Sequence, residues 1–151
     1  MDHVPLLEQA ALRSLLAGQV GAILPAWRVS SPYGPRLDPF GRGARWHHGI
    51  DYAAPMASPV PAVLAGVVSR VDVEGDGQRG RLHGNAVQVS SGAWSLSYLH
   101  LLVALVAPGE RVARGQLIGL SGASGRVTGP HLHLALFYRG RSVDPSILTG
   151  R

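Results

Sequence analysis

The sequence predicts a mainly β fold, an antiparallel β-sheet with a short N-terminal helix. Among its 151 residues, 20 Gly and 11 Pro punctuate the chain and leave few long periodic runs, the pattern of short strands joined by turns. The stretch Gly129-Pro130-His131-Leu132-His133-Leu134-Ala135-Leu136-Phe137 alternates. In an extended chain it presents His131 and His133 on one face and Leu132, Leu134 and Leu136 on the other. The one helical periodicity is at the start, where Leu7, Ala11 and Leu15 fall four apart beside Leu12 and Leu16.

A chain of this length makes one domain with a real core. It has no cysteine, so disulfides and thiolate zinc sites are excluded and any metal must be held by His and carboxylate. All 14 basic residues are Arg and they outnumber 9 acids, a formal charge of +5. Such a balance favours an anionic partner. The arginines form no tract, however, so a solvated surface is the plainer reading and no nucleic-acid partner is expected.

In chain order, residues 5–24 read as a helix with Gly18 as its stop. Asp2 places an acid where an export signal needs positive charge, and Glu8, Gln9 and Arg13 interrupt the apolar run. The segment is too polar to span a membrane and is expected to pack on the domain or on a partner. His3 is expected to be disordered. Ala26 to Arg45 reads as loop or short strand, with turn signals at Ser30-Ser31-Pro32-Tyr33-Gly34 and Leu37-Asp38-Pro39.

Trp46-His47-His48-Gly49-Ile50-Asp51-Tyr52-Ala53-Ala54-Pro55 follows. His47 and Asp51 are four apart and share a face on a strand or a helix, while His48 points away. Val67, Val71 and Val73 alternate with Arg70, Asp72 and Glu74 as a half-buried strand ended by Gly75-Asp76-Gly77. The polar, glycine-rich stretch from Glu74 to Gly84, with His83, reads as a loop able to wall a groove. Ala86 to Ser90 is a strand turning at Ser91-Gly92, and on the next strand Trp94, Leu96, Tyr98 and His100 fall on one face. Pro108 to Val112 gives a turn, Gly115 to Leu120 a short apolar strand, and Ser121 to Pro130 a loop that delivers the chain to His131. The Arg139-Gly140-Arg141 turn and Val143-Asp144-Pro145 close the domain.

Taken together, His47, Asp51 and His133 supply two imidazoles and a carboxylate, the ligand set of a catalytic zinc that leaves a fourth position to water. Hydrolysis also needs a base and oxyanion donors. Only Glu8, Glu74 and Glu110 exist, none beside a histidine pair, so a helical His-Glu-x-x-His site is absent. Water activation and oxyanion stabilisation therefore fall to His131 and His100.

These residues resemble the lysostaphin/LytM-type zinc endopeptidases that cut peptidoglycan peptides. The resemblance rests on His47-His48-Gly49-Ile50-Asp51, then Ser97-Tyr98-Leu99-His100-Leu101, then Ser121-Gly122 through Thr128-Gly129-Pro130-His131-Leu132-His133. Tyr33-Gly34-Pro35-Arg36, Gly109-Glu110-Arg111-Val112 through Ile118-Gly119, and Val143-Asp144-Pro145 support it.

It implies one zinc ion per chain held by His47, Asp51 and His133, with His100 and His131 as catalytic histidines, in a groove over an antiparallel sheet. It also implies action on peptidoglycan peptides at the cell wall, whether periplasmic, secreted or virion-associated. A helical lead-in over residues 1–27, a catalytic domain over 28–151 and a monomer are expected. Relatives that have lost ligands activate other wall hydrolases, so a weakly active wall-binding module is one alternative reading; a virion-associated lytic component, with the 5–24 helix as its docking element, is the other. All five site positions are intact, which implies an active enzyme. Two departures lie beside the ligands. The family commonly has glycine and threonine where this chain has Ala57-Ser58, and an aromatic and a Glu where it has Leu134-Ala135.

Overall fold

The computed structural model describes residues 3–13, 23–38 and 40–150. Twelve strands and three short helices are found among them. Helix α1 spans Leu6–Arg13, and strands β1 Val29–Ser31, β2 Gly34–Leu37, β3 Ala44–His47 and β4 Ile50–Tyr52 follow. Next come β5 Pro59–Pro61, β6 Gly66–Asp72, α2 Gly77–His83, β7 Asn85–Ser91 and β8 Trp94–Ala104. Strands β9 Arg111–Val112, β10 Leu117–Ser121, β11 Leu132–Tyr138 and β12 Arg141–Val143, with helix α3 Ser146–Thr149, complete the chain.

One antiparallel sheet runs β1-β4-β11-β8-β7-β6-β9, with β12 paired to β11 and β10 joining β8 to β5. Strands β2 and β3 form a separate hairpin. The two prolines of β5 are tolerated because that strand pairs only with β10, at an edge where a missing N–H breaks no second ladder.

Strand β11 lies between β4 and β8 and organises the sheet. Leu132, Leu134 and Leu136 are fully buried, and removing each from water contributes roughly 1.5–3 kcal/mol. They pack with Tyr52, Leu96, Tyr98 and Leu101 in a single core. The Tyr98 hydroxyl accepts a hydrogen bond from the Val63 N–H at 2.8 Å, which keeps a buried polar group satisfied.

Several expectations are corrected. The helix expected over 5–24 is found as Leu6–Arg13; Ile23 and Leu24 are not helical, and residues 14–22 lie outside the described residues. The lead-in packs on the domain. Val4 is buried in the core, the Gln9 side chain donates to the Val4 carbonyl at 2.8 Å, and the Asp144 N–H donates to Gln9 Oε1 at 3.1 Å. His3 is ordered, its ring stacked 4.3 Å from that of Trp46. No helix among the described residues is long and apolar enough to cross a membrane.

In β6 a register shift between Val68 and Arg70 puts Val68 in the core in place of Val67, and Val73 is exposed. A bulge of this kind turns the faces over without any mark in the alternation. The stretch from Glu74 to Gly84 contains helix α2, and His83 closes that helix rather than sitting in a loop.

Candidate active site and metal centre

The site forms where β3, β4, β8 and β11 meet. Asp51 and His133 are direct partners in the β4–β11 ladder, so their side chains leave the same face of the sheet. His47 ends β3 and reaches them from the hairpin. His131 immediately precedes β11 and is bridged to Gly122.

His100 arrives by an unexpected route. Tyr98 pairs with Val87 but Leu101 pairs with Asn85, so β8 holds one residue more than β7 across this stretch. His100 absorbs the extra residue with φ +65°, an uncommon conformation that histidine tolerates better than most. Leu101 consequently takes the core position that alternation reserved for His100. His100 instead faces His131 and His133, at ring distances of 4.9 and 6.0 Å.

Three atoms converge. His133 Nδ1 is 2.7 Å from Asp51 Oδ1 and 3.2 Å from His47 Nε2, and His47 Nε2 is 3.4 Å from Asp51 Oδ1. Ligands about 2.0–2.1 Å from a tetrahedral zinc stand roughly 3.3 Å from one another. The triangle therefore fits such an ion, and a cation in place of the shared proton on His133 Nδ1 would satisfy all three atoms.

Backbone carbonyls set the ring orientations. His47 Nδ1 lies 2.9 Å from the Pro32 carbonyl, His100 Nδ1 2.9 Å from that of Ser124, and His131 Nδ1 2.9 Å from that of Gly129. A carbonyl can only accept, so each Nδ1 carries the proton and each Nε2 presents a lone pair.

Burial opposes ionisation of Asp51, but the hydrogen bonds of His133 and His47 and their charge outweigh it and hold the carboxyl far below its ordinary range. Burial pushes His133 below its ordinary value against the pull of Asp51. His100 is pushed down to about 3, chiefly by burial and then by His133 and His131. An ionised carboxylate and neutral imidazoles are the protonation states that metal binding requires.

Three supporting residues carried no role in the sequence reading. Arg36 donates to Asp51 Oδ2 at 3.0 Å and to Ser31 Oγ at 2.8 Å, leaving Oδ1 to the histidines. It stands in the Tyr33-Gly34-Pro35-Arg36 segment, but its partner lies on another sheet. Ser124 supplies the carbonyl for His100 and, through its hydroxyl, donates to the Leu101 carbonyl. Gly49 passes so close to β11 that a Cβ would strike the Leu134 carbonyl oxygen and stand 2.7 Å from His133 Nε2. His48 is not among the converging atoms, its Nδ1 lying 2.9 Å from Ser142 Oγ, although it lines the same groove.

A groove of about 760 Å³ runs over the site. One wall is the β2–β3 hairpin with Asp38, Phe40 and Arg45. The other carries Leu82 of α2 with Arg126 and Thr128 of the β10–β11 loop.

The pattern of Peptidase family M23 matches residues 45–145. The peptidoglycan DD-endopeptidase ShyA of Vibrio cholerae is 44% identical over 123 residues, covering 78% of this chain and 26% of its own length. The chain thus spans about a quarter of the length of the curated relatives it matches. A zinc-containing peptidase from Vibrio cholerae superposes with a TM-score of 0.71 at 34% identity, over 83% of this chain and 38% of that one. The catalytic domain of lysostaphin from Staphylococcus simulans gives 0.69 at 26% identity, over 83% and 93%. The matched span holds all five converging side chains, three of them on β4, β8 and β11, His131 just before β11 and His47 at the end of β3, and on that match the chain belongs to Peptidase family M23.

Proposed function

We propose that this chain is a zinc-dependent endopeptidase that hydrolyses peptides of bacterial peptidoglycan and acts at the cell wall. His47, Asp51 and His133 hold one zinc ion, and His100 and His131 move protons. The observation that carries the reading is the triangle of His47 Nε2, Asp51 Oδ1 and His133 Nδ1, with sides of 2.7, 3.2 and 3.4 Å, beneath an open groove. Zinc held there supplies a Lewis acid for a carbonyl and lowers the pKa of water toward about 7.

The chain's own residues supply the remaining chemistry. His131 Nε2 lies 3.7 Å from Asp51 Oδ1 with its lone pair toward the site. It takes a proton from the attacking water and returns it to the leaving nitrogen as the C–N bond breaks. His100, kept neutral by burial, accepts a hydrogen bond from the same water and aligns it. Oxyanion stabilisation was expected from this histidine pair. Because both Nδ1 protons are committed to carbonyls, that donation falls to whichever ring has gained a proton on Nε2. The groove of about 760 Å³ over the site is where the substrate peptide would lie.

The test is turbidity loss of purified peptidoglycan with and without a chelator, zinc add-back, and mass spectrometry of the released fragments. Chelator-sensitive release of peptide fragments is the expected result. No release from protein carrying one zinc would overturn the reading.

A further inference from the structure

The groove is more basic than its chemistry requires. Arg36 is committed to Asp51. Arg42 and Arg45 both turn to Asp38 Oδ2, each at 3.5 Å, while Asp38 Oδ1 already accepts the Phe40 N–H at 2.9 Å. The Asp38 side chain is 3% exposed, whereas those of Arg42 and Arg45 are 45% and 60% exposed. One sheltered carboxylate oxygen thus serves two guanidinium groups that remain open to the groove.

From the opposite wall Arg126 reaches the same place. Its guanidinium carbon lies 4.3 Å from the Phe40 ring centroid, and that of Arg42 lies 5.9 Å away from it. Among the described residues no acid pairs with Arg126. The aromatic face therefore parks a cation that has no ion partner, directly over the groove. A guanidinium so held is planar, weakly hydrated and ready to form two parallel hydrogen bonds to a carboxylate.

We propose that Arg126, with Arg42 beside it on Phe40, forms a subsite that reads a free carboxylate on the peptide flanking the scissile bond. The inference rests on the endopeptidase reading above and adds a substrate requirement to it. The carboxylate is a side-chain or C-terminal one, which share the chemistry that Arg recognises. A carboxamide in its place offers one acceptor and no charge, and leaves Arg126 on Phe40.

The experiment uses the zinc-loaded full chain and synthetic stem-peptide dimers that differ only in acid or carboxamide, with the side chain and the C-terminus amidated separately to tell the two sources apart. Wild type is expected to prefer one acid over its amide by roughly 10- to 100-fold in kcat/KM, and the preference to weaken as salt rises. In Arg126→Gln the acid-to-amide ratio falls toward one, and Arg126→Lys restores part of it. Equal cleavage of acid and amide by wild type, or an undiminished ratio in Arg126→Gln, overturns the proposal. If neither dimer is cleaved, the endopeptidase reading falls, and titration of the same acid and amide dimers decides the subsite: tighter binding of the acid that Arg126→Gln abolishes supports it, and equal binding overturns it.

Discussion

Asp51 Oδ1 lies 2.7 Å from His133 Nδ1 although 82 residues separate them, and the other carboxylate oxygen is held by Arg36 at 3.0 Å. The ladder between β4 and β11 brings the pair together, and the guanidinium decides which oxygen faces the histidines. Groups that orient a ligand typically cost 10- to 100-fold in metal affinity or activity when removed. Arg36→Met is expected to lower zinc retention or turnover by about that factor, with Arg36→Lys intermediate. Zinc content after competition with a graded chelator, measured beside turnover, checks this; wild-type values for both would assign Arg36 to packing alone.

His131 and His133 sit two residues apart and are expected to fail differently. His133→Ala removes a corner of the metal triangle, so both zinc and activity are lost. His131→Ala keeps zinc and loses about 10²- to 10⁴-fold in turnover, the range for a proton-transfer group. Metal analysis of the two purified variants separates them, and full activity in both would show the assignment to be wrong.

Gly49→Ala adds one carbon where β11 leaves no room. Its Cβ meets the Leu134 carbonyl oxygen and stands 2.7 Å from His133 Nε2. The clash with the Leu134 carbonyl forces the Gly49 and Leu134 backbones apart, and the His133 ring is displaced with them. Loss of stability of about 1–3 kcal/mol is expected from overpacking, together with weakened zinc binding. Chemical denaturation and metal titration on one preparation measure the two effects.

Ala57 has φ +65°, at a position where the family resemblance marks glycine as common. An alanine in the left-handed region is strained by roughly 1–2 kcal/mol, while glycine costs about 0.4–1 kcal/mol through the unfolded chain. Ala57→Gly is therefore expected to stabilise the protein by about 0.5–1 kcal/mol, the difference of these terms. Urea unfolding midpoints at unchanged slope provide the check, and a destabilised variant would refute the strain account.

The metal-stripped protein is expected to weaken in acid. His100 is pushed down to about 3 in the fold, chiefly by burial, from an unfolded value of 6.5. Between those values the unfolded chain binds the extra proton, so stability rises with pH across the window and falls as pH drops below 6.5. His133 and His83, also lowered by burial, act with the same sign. Urea unfolding of chelator-treated protein at several pH values between neutrality and pH 4 tests this, and a flat profile would contradict it.

The alternation around His131 and His133 determined, from sequence alone, a strand with one apolar and one chemical face. The even spacing of His47 and Asp51 suggested a second donor pair on one face, but the structure puts them on β3 and β4, strands of different sheets, and they meet in space. The first pattern is local, because side-chain direction in an extended chain follows from parity. Parity fails wherever a residue is inserted. The bulges at Val68 and His100 reverse the expected faces, and His100 reaches the site only because β8 carries one residue more than β7. Arg36, Ser124 and Gly49 were also beyond the sequence, since each acts on a residue from a different strand or loop. The proposed metal ligands are chosen by chemical type, which sequence records, whereas the groups that aim them are chosen by distance in space, which only the folded sheet creates.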